Sequence, residues 1–123
     1  MKVTRGRESR VHRGLKAKIV EQLFLSANWL VIPEHKQADV AAVSLRDSRR
    51  SLAFEVECTN LYGFLGNVRR NKKNEFGGQW IVVRTTLARR YVETILDQQS
   101  LSIQRFVRGV ILPAEIENTI KSL

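Results

Sequence analysis

The sequence has few of the residues that cross-link, coordinate or interrupt a chain. It contains one cysteine, two prolines and two histidines among 123 residues. A single cysteine excludes an intrachain disulfide, and two isolated histidines do not make the Cys and His cluster of a structural zinc site. Neither a glycine-rich phosphate loop nor a nucleophile elbow occurs. An apolar run of the roughly 20 residues that a bilayer requires is also missing, as is a signal peptide.

Negative charge is in the minority. Twelve Asp and Glu residues oppose 21 Lys and Arg residues, which gives a formal net charge of +9. A surface this positive favours a polyanionic partner, and we expect nucleic acid, most of all DNA. The alternative is that the charge only keeps the protein in solution. Together with the lack of a membrane segment, the charge leads us to expect an intracellular protein, cytoplasmic or nucleoid-associated, that does not contact membranes.

Residues 1–14 differ in composition from the rest of the chain. Basic side chains dominate this segment and two glycines weaken its helical tendency. The basic residues are Lys2, Arg5, Arg7, Arg10 and Arg13. We expect a flexible arm that binds phosphate groups, with a solubilising tail as the alternative. The remaining segment, 15–123, has the length of a single domain.

Hydrophobic spacing predicts elements in the order α-β-β-β-α-β-α-β-α. The first helix starts at Leu15 and carries an apolar face made of Leu15, Ile19, Val20, Leu23, Phe24 and Ala27. Strands follow at 29–32, 38–45 and 51–59, then a basic helix at 67–76, a strand at 79–84, a helix from 85 or 86 to about 99, a strand at 107–112 and a short helix after Pro113. This order predicts an α/β fold with a mixed central sheet flanked by helices.

Two carboxylates stand two residues apart in the predicted strand 51–59. Glu55 and Glu57 share one face of that strand, roughly 6.6 Å apart along it. Asp39 begins the preceding strand, so the three acids can converge across the sheet. Oxygen ligands of this kind suit a hard cation such as magnesium. The alternative is a solvated face that Arg or Lys residues on a neighbouring strand balance.

The order of elements and the acids together resemble the PD-(D/E)XK nuclease superfamily, over residues 15 to about 84. Asp39 matches the aspartate of that family's motif, and Glu55-Val56-Glu57 matches the acid of the next strand but has glutamate where lysine is usual. The resemblance implies a restriction-endonuclease-like αβββαβ core, extended here by a C-terminal αβα portion. The chain looks closest to small Holliday junction resolvases and repair endonucleases.

The resemblance implies a catalytic metal site. Asp39, Glu55 and the backbone carbonyl of Val56 would bind magnesium or manganese. Glu57 would serve as a further metal ligand or as the base that activates water. The motif lysine is absent, and Lys72 and Lys73 in the following helix are candidates for the catalytic cation. The alternative is that a metal held by Asp39, Glu55 and Glu57 generates hydroxide alone by lowering the pKa of bound water.

The implied activity is hydrolysis of DNA phosphodiester bonds, with branched or structured DNA as a candidate substrate. Basic side chains would hold the DNA backbone. They are Arg5, Arg7, Arg10 and Arg13 in the arm and Arg69, Arg70, Lys72 and Lys73 in the helix. Relatives also lead us to expect a homodimer. Two alternatives remain: a non-catalytic nucleic-acid-binding module of the same fold, and an assembly protein that uses the apolar last helix.

Overall fold

The computed structural model describes residues 9–47, 49–58 and 61–123. These residues form an α/β structure in which helices cover both faces of a five-stranded sheet. The strands are β1 (Trp29–Pro33), β2 (Val40–Ser44), β3 (Ser51–Glu57), β4 (Gly78–Val83) and β5 (Val107–Ile111). They lie side by side in chain order. The predicted α/β class with a mixed, helix-flanked sheet is therefore confirmed.

The pairing of the strands changes from antiparallel to parallel at β3. Strands β1, β2 and β3 form an antiparallel meander, with Val31 opposite Ala42 and Ala42 opposite Leu52. Strands β4 and β5 are added parallel to β3. A parallel neighbour requires a crossover connection, which a helix usually provides. The helices are α1 (Arg10–Ser26), α2 (Phe64–Lys73), α3 (Thr86–Leu96), α4 (Leu101–Phe106) and α5 (Ile116–Lys121), and α2 provides the crossover between β3 and β4.

Each face of the sheet has its own hydrophobic core. Helices α1 and α5 cover the face that carries Phe54 and Val56, and α2, α3 and α4 cover the face that carries Ala53 and Ile81. Phe54 is fully buried, and burial of such a side chain contributes about 1.5–3 kcal/mol. Strand β3 therefore lies between two layers of helices, and both of its faces are removed from solvent.

The first helix differs from its prediction at both ends. It begins at Arg10 instead of Leu15, because the side chain of Ser9 accepts a hydrogen bond from the backbone N–H of His12 at 3.0 Å and caps the first turn. Residues 10–14 of the predicted arm are thus helical. Its residues 1–8, with Arg5 and Arg7, lie outside the described part of the chain. At the other end Phe24, predicted to face the core, is 75% exposed.

The second half of the chain contains one helix that the spacing did not predict. Ser100 caps α4 by accepting from the backbone N–H of Ile103, and only Phe106 of this six-residue helix is buried. An apolar period cannot be recognised over so few residues. Helix α2 also begins earlier than predicted, at Phe64, and ends at Lys73.

Within the described residues, no helix is both long enough and apolar enough to cross a membrane.

Candidate functional site

Asp39 lies immediately before β2 and beside the carboxyl end of β3, the strand with which β2 pairs. Its Oδ2 atom accepts a hydrogen bond from the backbone N–H of Val56 at 2.8 Å. The same oxygen lies 3.3 Å from Nε2 of His12 in the first turn of α1. Asp39 is therefore held between Val56, the middle residue of Glu55-Val56-Glu57, and α1, the helix that packs on the Phe54 and Val56 face of the sheet.

The loop before Asp39 has an unusual backbone. Lys36 and Gln37 both lie in the left-handed region, with φ of 53° and 68°. Residues other than glycine, Asn and Asp rarely adopt this backbone conformation. Two hydrogen bonds of 3.1 Å hold the loop against the end of α2, from Lys36 Nζ to the carbonyl of Asn74 and from Asn74 Nδ2 to the carbonyl of Lys36. Strain of this kind occurs often beside functional sites.

Glu55 and Glu57 share the face of β3 that α2 covers, as the alternation of the strand predicts. Both are buried, with 3% and 7% of their surfaces exposed. A buried carboxyl group is costly unless other groups satisfy its hydrogen bonds. The alternative of a solvated acidic face is therefore wrong.

Helix α2 supplies the partners of both glutamates. Arg70 Nη2 lies 2.8 Å from Glu55 Oε2, and Asn71 Nδ2 donates to the same oxygen at 3.0 Å. Asn67 Nδ2 donates to Glu57 Oε2 at 2.8 Å. Positions 67, 70 and 71 of a helix lie on one face, so a single turn of α2 contacts both acids. Arg70 also donates to Asn67 Oδ1 at 2.9 Å, which joins the two halves of the network.

The network continues to the neighbouring strand. Asn71 Nδ2 donates a second hydrogen bond to Oε1 of Gln79 at 2.9 Å, and both side chains are fully buried. Gln79 lies on β4, directly opposite Ala53 of β3. The polar group thus spans a strand, a helix and a second strand, and it interrupts an otherwise apolar core.

The pKa values of the three acids shift in different directions. Burial raises the pKa of Glu55, the negative charge of Asp39 raises it further, and together they outweigh Asn71 and Arg70 and bring it to about 8. Burial also raises the pKa of Glu57, although Asn67 opposes the shift. Burial acts in the same direction on Asp39, but the hydrogen bonds from His12 and from the N–H of Val56 outweigh it and hold the pKa of Asp39 below its usual value. Near neutral pH, Asp39 is ionised and Glu55 is mostly protonated.

The predicted basic residues divide into two groups. Arg70 contacts Glu55, whereas Arg69, Lys72 and Lys73 are exposed. In the described part of the chain, no hydrogen bond or ion pair joins Lys72 or Lys73 to the three acids. The predicted DNA-binding residues Arg10 and Arg13 lie in the first turns of α1 and are also exposed.

A groove opens beside the network. It has a volume of about 560 Å³ and borders Arg70 on one side. Lys36 and Lys73 contribute two further cations to its walls, and Glu75 contributes one acid. The basic face of α2 and the strained loop therefore form one positively charged surface next to Glu55.

The donor chemistry of the site fits a hard divalent cation. Asp39, Glu55 and Glu57 offer carboxylate oxygens, which magnesium and manganese prefer. No group of three or more His, Cys, Asp or Glu side chains is arranged to hold a metal within ranges 9–47, 49–58 and 61–123. One oxygen of each acid accepts from the protein instead. A cation at this site would require the contacts of Glu55 with Arg70 and of Glu57 with Asn67 to rearrange.

Four site residues were not predicted from the sequence: His12, Asn67, Asn71 and Gln79. The positions of Asn67 and Asn71 gave a usable signal, because they are four apart in a basic helix and so share a face with the apolar Val68. His12 had no such signal, since it lay in the segment expected to be a flexible arm. Comparison with protein-family models, curated proteins and solved structures gave no match.

Proposed function

We propose that this chain is a metal-dependent endonuclease of the PD-(D/E)XK type that hydrolyses phosphodiester bonds in DNA. The observation that supports it most is the 2.8 Å hydrogen bond between Asp39 Oδ2 and the N–H of Val56. This contact holds the acid that precedes β2 against the centre of Glu55-Val56-Glu57. The resemblance requires this juxtaposition, whereas a charge-balanced sheet surface does not.

The backbone direction of Val56 adds a second argument. The N–H and C=O groups of one strand residue point to the same side of the strand. Because the N–H of Val56 points toward Asp39, its carbonyl oxygen faces the same side. Asp39, Glu55 and this carbonyl would hold the magnesium or manganese ion, with Glu57 as a further ligand or as the base for water. The bound metal would lower the pKa of water and polarise the phosphate.

Arg70 is the residue that we propose in place of the motif lysine. It is the cation that contacts Glu55, and it also lies on the wall of the basic groove. A guanidinium group binds phosphate oxygens in a bidentate manner. Arg70 would neutralise charge on the phosphate that enters the site. Once Arg70 is released from Glu55 and the carboxyl group of Glu55 loses its proton, that group would be free to bind the metal.

The groove supports DNA as the substrate. Lys36 and Lys73 lie along it, and Arg69 and Lys72 extend the positive charge over the exposed face of α2. Contacts of this kind bind phosphates without reading bases. We therefore propose recognition of backbone and shape, which suits branched or structured DNA.

Cleavage assays test this function. We expect the protein to cut supercoiled or four-way-junction DNA in magnesium or manganese and to leave it intact in EDTA. Asp39→Asn and Glu55→Ala should each reduce the rate by about 100-fold or more, because the first removes the negative charge of a metal ligand and the second removes the ligand itself. Glu21→Ala is the matched control, because Glu21 is an exposed acid on α1, and its rate should match that of the unaltered protein.

Undiminished cleavage by both site variants would reject the assignment. The second candidate function is a non-catalytic DNA-binding module. The observation that favours it is the occupation of Glu55 Oε2 by both Arg70 and Asn71, which competes with metal binding. Salt-sensitive DNA binding without cleavage in either metal would support this module.

A further inference from the structure

A second basic cavity lies far from the acids, around the amino-terminal ends of β3 and β4. It has a volume of about 360 Å³, within the usual range for small-ligand sites. Ser51 lines this cavity, and Glu55 follows it four residues later in the same strand. At the rise of an extended strand, that separation is roughly 13 Å. The cavity and the groove beside Glu55 share no lining residue in the described part of the chain and are therefore distinct.

Three arginines surround the cavity, namely Arg49, Arg50 and Arg108. Arg49 lies 3.2 Å from the exposed carboxylate of Asp47. Within the described residues, no ion pair joins Arg50 or Arg108 to an Asp or Glu side chain, and neither Asp nor Glu is among the described residues that line the cavity. Guanidinium groups without an Asp or Glu partner around one small cavity favour an anionic ligand, and phosphate matches their planar donor geometry.

The cavity also has an aromatic wall. The chain contains two tryptophans, Trp29 and Trp80, and both line it. The indole N–H of Trp80 is buried and has no hydrogen-bond partner among the described residues. An indole surface offers stacking and apolar contact, which an inorganic anion cannot use but a nucleobase can.

Two glycines create the space that positions these walls. A Cβ atom at Gly109 would lie 2.6 Å from the six-membered ring of Trp80, and one at Gly78 would lie 2.5 Å from Nε of Arg108. Arg108 also donates to the carbonyl of Gly77 at 3.2 Å. Larger side chains at positions 78 and 109 would displace Arg108 and the indole of Trp80. The two glycines therefore allow these side chains to pack against β4 and β5.

We propose that this cavity binds a nucleotide, with Arg50 and Arg108 on its phosphate group and an indole against its base. The ligand is either a free mononucleotide or the 5′-phosphorylated end of a nucleic-acid strand, because the two share this chemistry. Arg49 is the third cation on the rim. The site requires no metal and does not depend on the nuclease function proposed above.

Tryptophan fluorescence measures this binding directly, because both tryptophans line the cavity. The full chain is titrated in EDTA with AMP, dAMP, a 5′-phosphorylated hexanucleotide, the same hexanucleotide without phosphate, and inorganic phosphate. We expect saturable quenching by AMP, by dAMP or by the phosphorylated hexanucleotide. Binding of only the mononucleotides identifies a free nucleotide as the ligand, and binding of only the phosphorylated hexanucleotide identifies a strand end.

Arginine variants locate the ligand. Arg50→Gln and Arg108→Gln should each weaken binding by about tenfold, the cost of one charge-assisted hydrogen bond. Arg90→Gln is the matched control, since Arg90 is exposed on α3 and does not line the cavity. Circular dichroism establishes that the variants fold, and Arg50→Gln keeps the test valid if Arg108→Gln does not.

Four results would overturn the proposal. They are no saturable quenching by any nucleotide, equal affinity for inorganic phosphate, equal affinity for the unphosphorylated hexanucleotide, and equal weakening by Arg90→Gln. Glu55→Gln separates this site from the acidic one, because nucleotide binding should persist in that variant even if DNA cleavage is lost.

Discussion

The two ends of β3 carry opposite chemistry. At its carboxyl end, Glu55 and Glu57 are buried beneath α2 and satisfied by amide and guanidinium groups. At its amino-terminal end, Arg49 and Arg50 precede the strand and are exposed around a cavity. A buried charge must be matched by specific partners, whereas an exposed charge needs only water. Substitutions at the acidic end should therefore affect folding and activity together, and those at the basic end should mostly affect binding.

The largest effect on stability is expected from Asn71→Leu. This change keeps the branching and the number of heavy atoms of the side chain but removes both donors, to Glu55 and to Gln79. Two buried acceptors lose a partner, which should lower the free energy of unfolding by about 3 kcal/mol. Urea denaturation measures the loss.

Asn74→Leu is the matched control for Asn71→Leu. Its hydrogen bond to Lys36 is exposed, so the loss should stay below about 1 kcal/mol. Equal losses in the two variants would show that the buried network contributes no more than an exposed contact, and the contrast between the two ends of β3 would fail.

The pH dependence of stability should be the next largest effect. Glu55 has a raised pKa of about 8 in the folded protein, so between its unfolded pKa and pH 8 the folded state binds more protons than the unfolded state. The contribution of neutral Glu55 is therefore fully present below the unfolded pKa and is lost as the pH rises toward 8. We expect the melting temperature to fall by at least about 5 °C across this window.

Glu55→Gln replaces the titrating carboxyl group by an uncharged amide of nearly the same shape as the protonated acid. The melting temperature of this variant should therefore fall much less between pH 5 and pH 9. Glu75→Gln, at an exposed position, should follow the unaltered protein. Parallel pH curves for the Glu55 variant and the unaltered protein would mean that the carboxyl group of Glu55 titrates normally.

The smallest effects are expected at the two glycines of the basic end. Gly109→Ala forces a Cβ atom toward the rigid ring of Trp80 and should cost about 1–3 kcal/mol. Gly78→Ala meets the flexible chain of Arg108 instead and should cost less. Thermal denaturation compares the two, and the tryptophan fluorescence spectrum should change more in the Gly109 variant. The opposite ranking would show that the indole adapts more easily than the arginine.

Period-2 alternation was enough to predict the orientation of β3. It assigned Glu55 and Glu57 to one face, and the structure has them there, with Phe54 and Val56 on the other face. The order of the strands along the chain and the mixed sheet also followed from hydrophobic runs and turn residues. Boundaries were less predictable, because caps such as Ser9 act through single hydrogen bonds that leave no period in the sequence.

The partners of the acids could not be predicted in the same way. The sequence offered four basic side chains between Arg69 and Lys73, and Lys72 and Lys73 were expected to supply the catalytic cation. In the structure Arg70 contacts Glu55, because Phe64, Val68 and Asn71 face the sheet and set the rotation of α2. A rotation of α2 about its axis by the angle between successive residues would change which cation contacts Glu55.

Sequence alone determined the positive charge of this protein, the class of its fold and the shared face of Glu55 and Glu57, because these depend on composition and on local periodicity. Tertiary structure alone decided that both glutamates are buried, that His12 and Val56 hold Asp39, and that Arg70 with Asn67 and Asn71 surrounds the other two acids. Those contacts join residues 10 to 27 positions apart in the chain. They exist only when helices pack on the sheet, and that packing sets both the pKa values of the acids and the chemistry we propose for them.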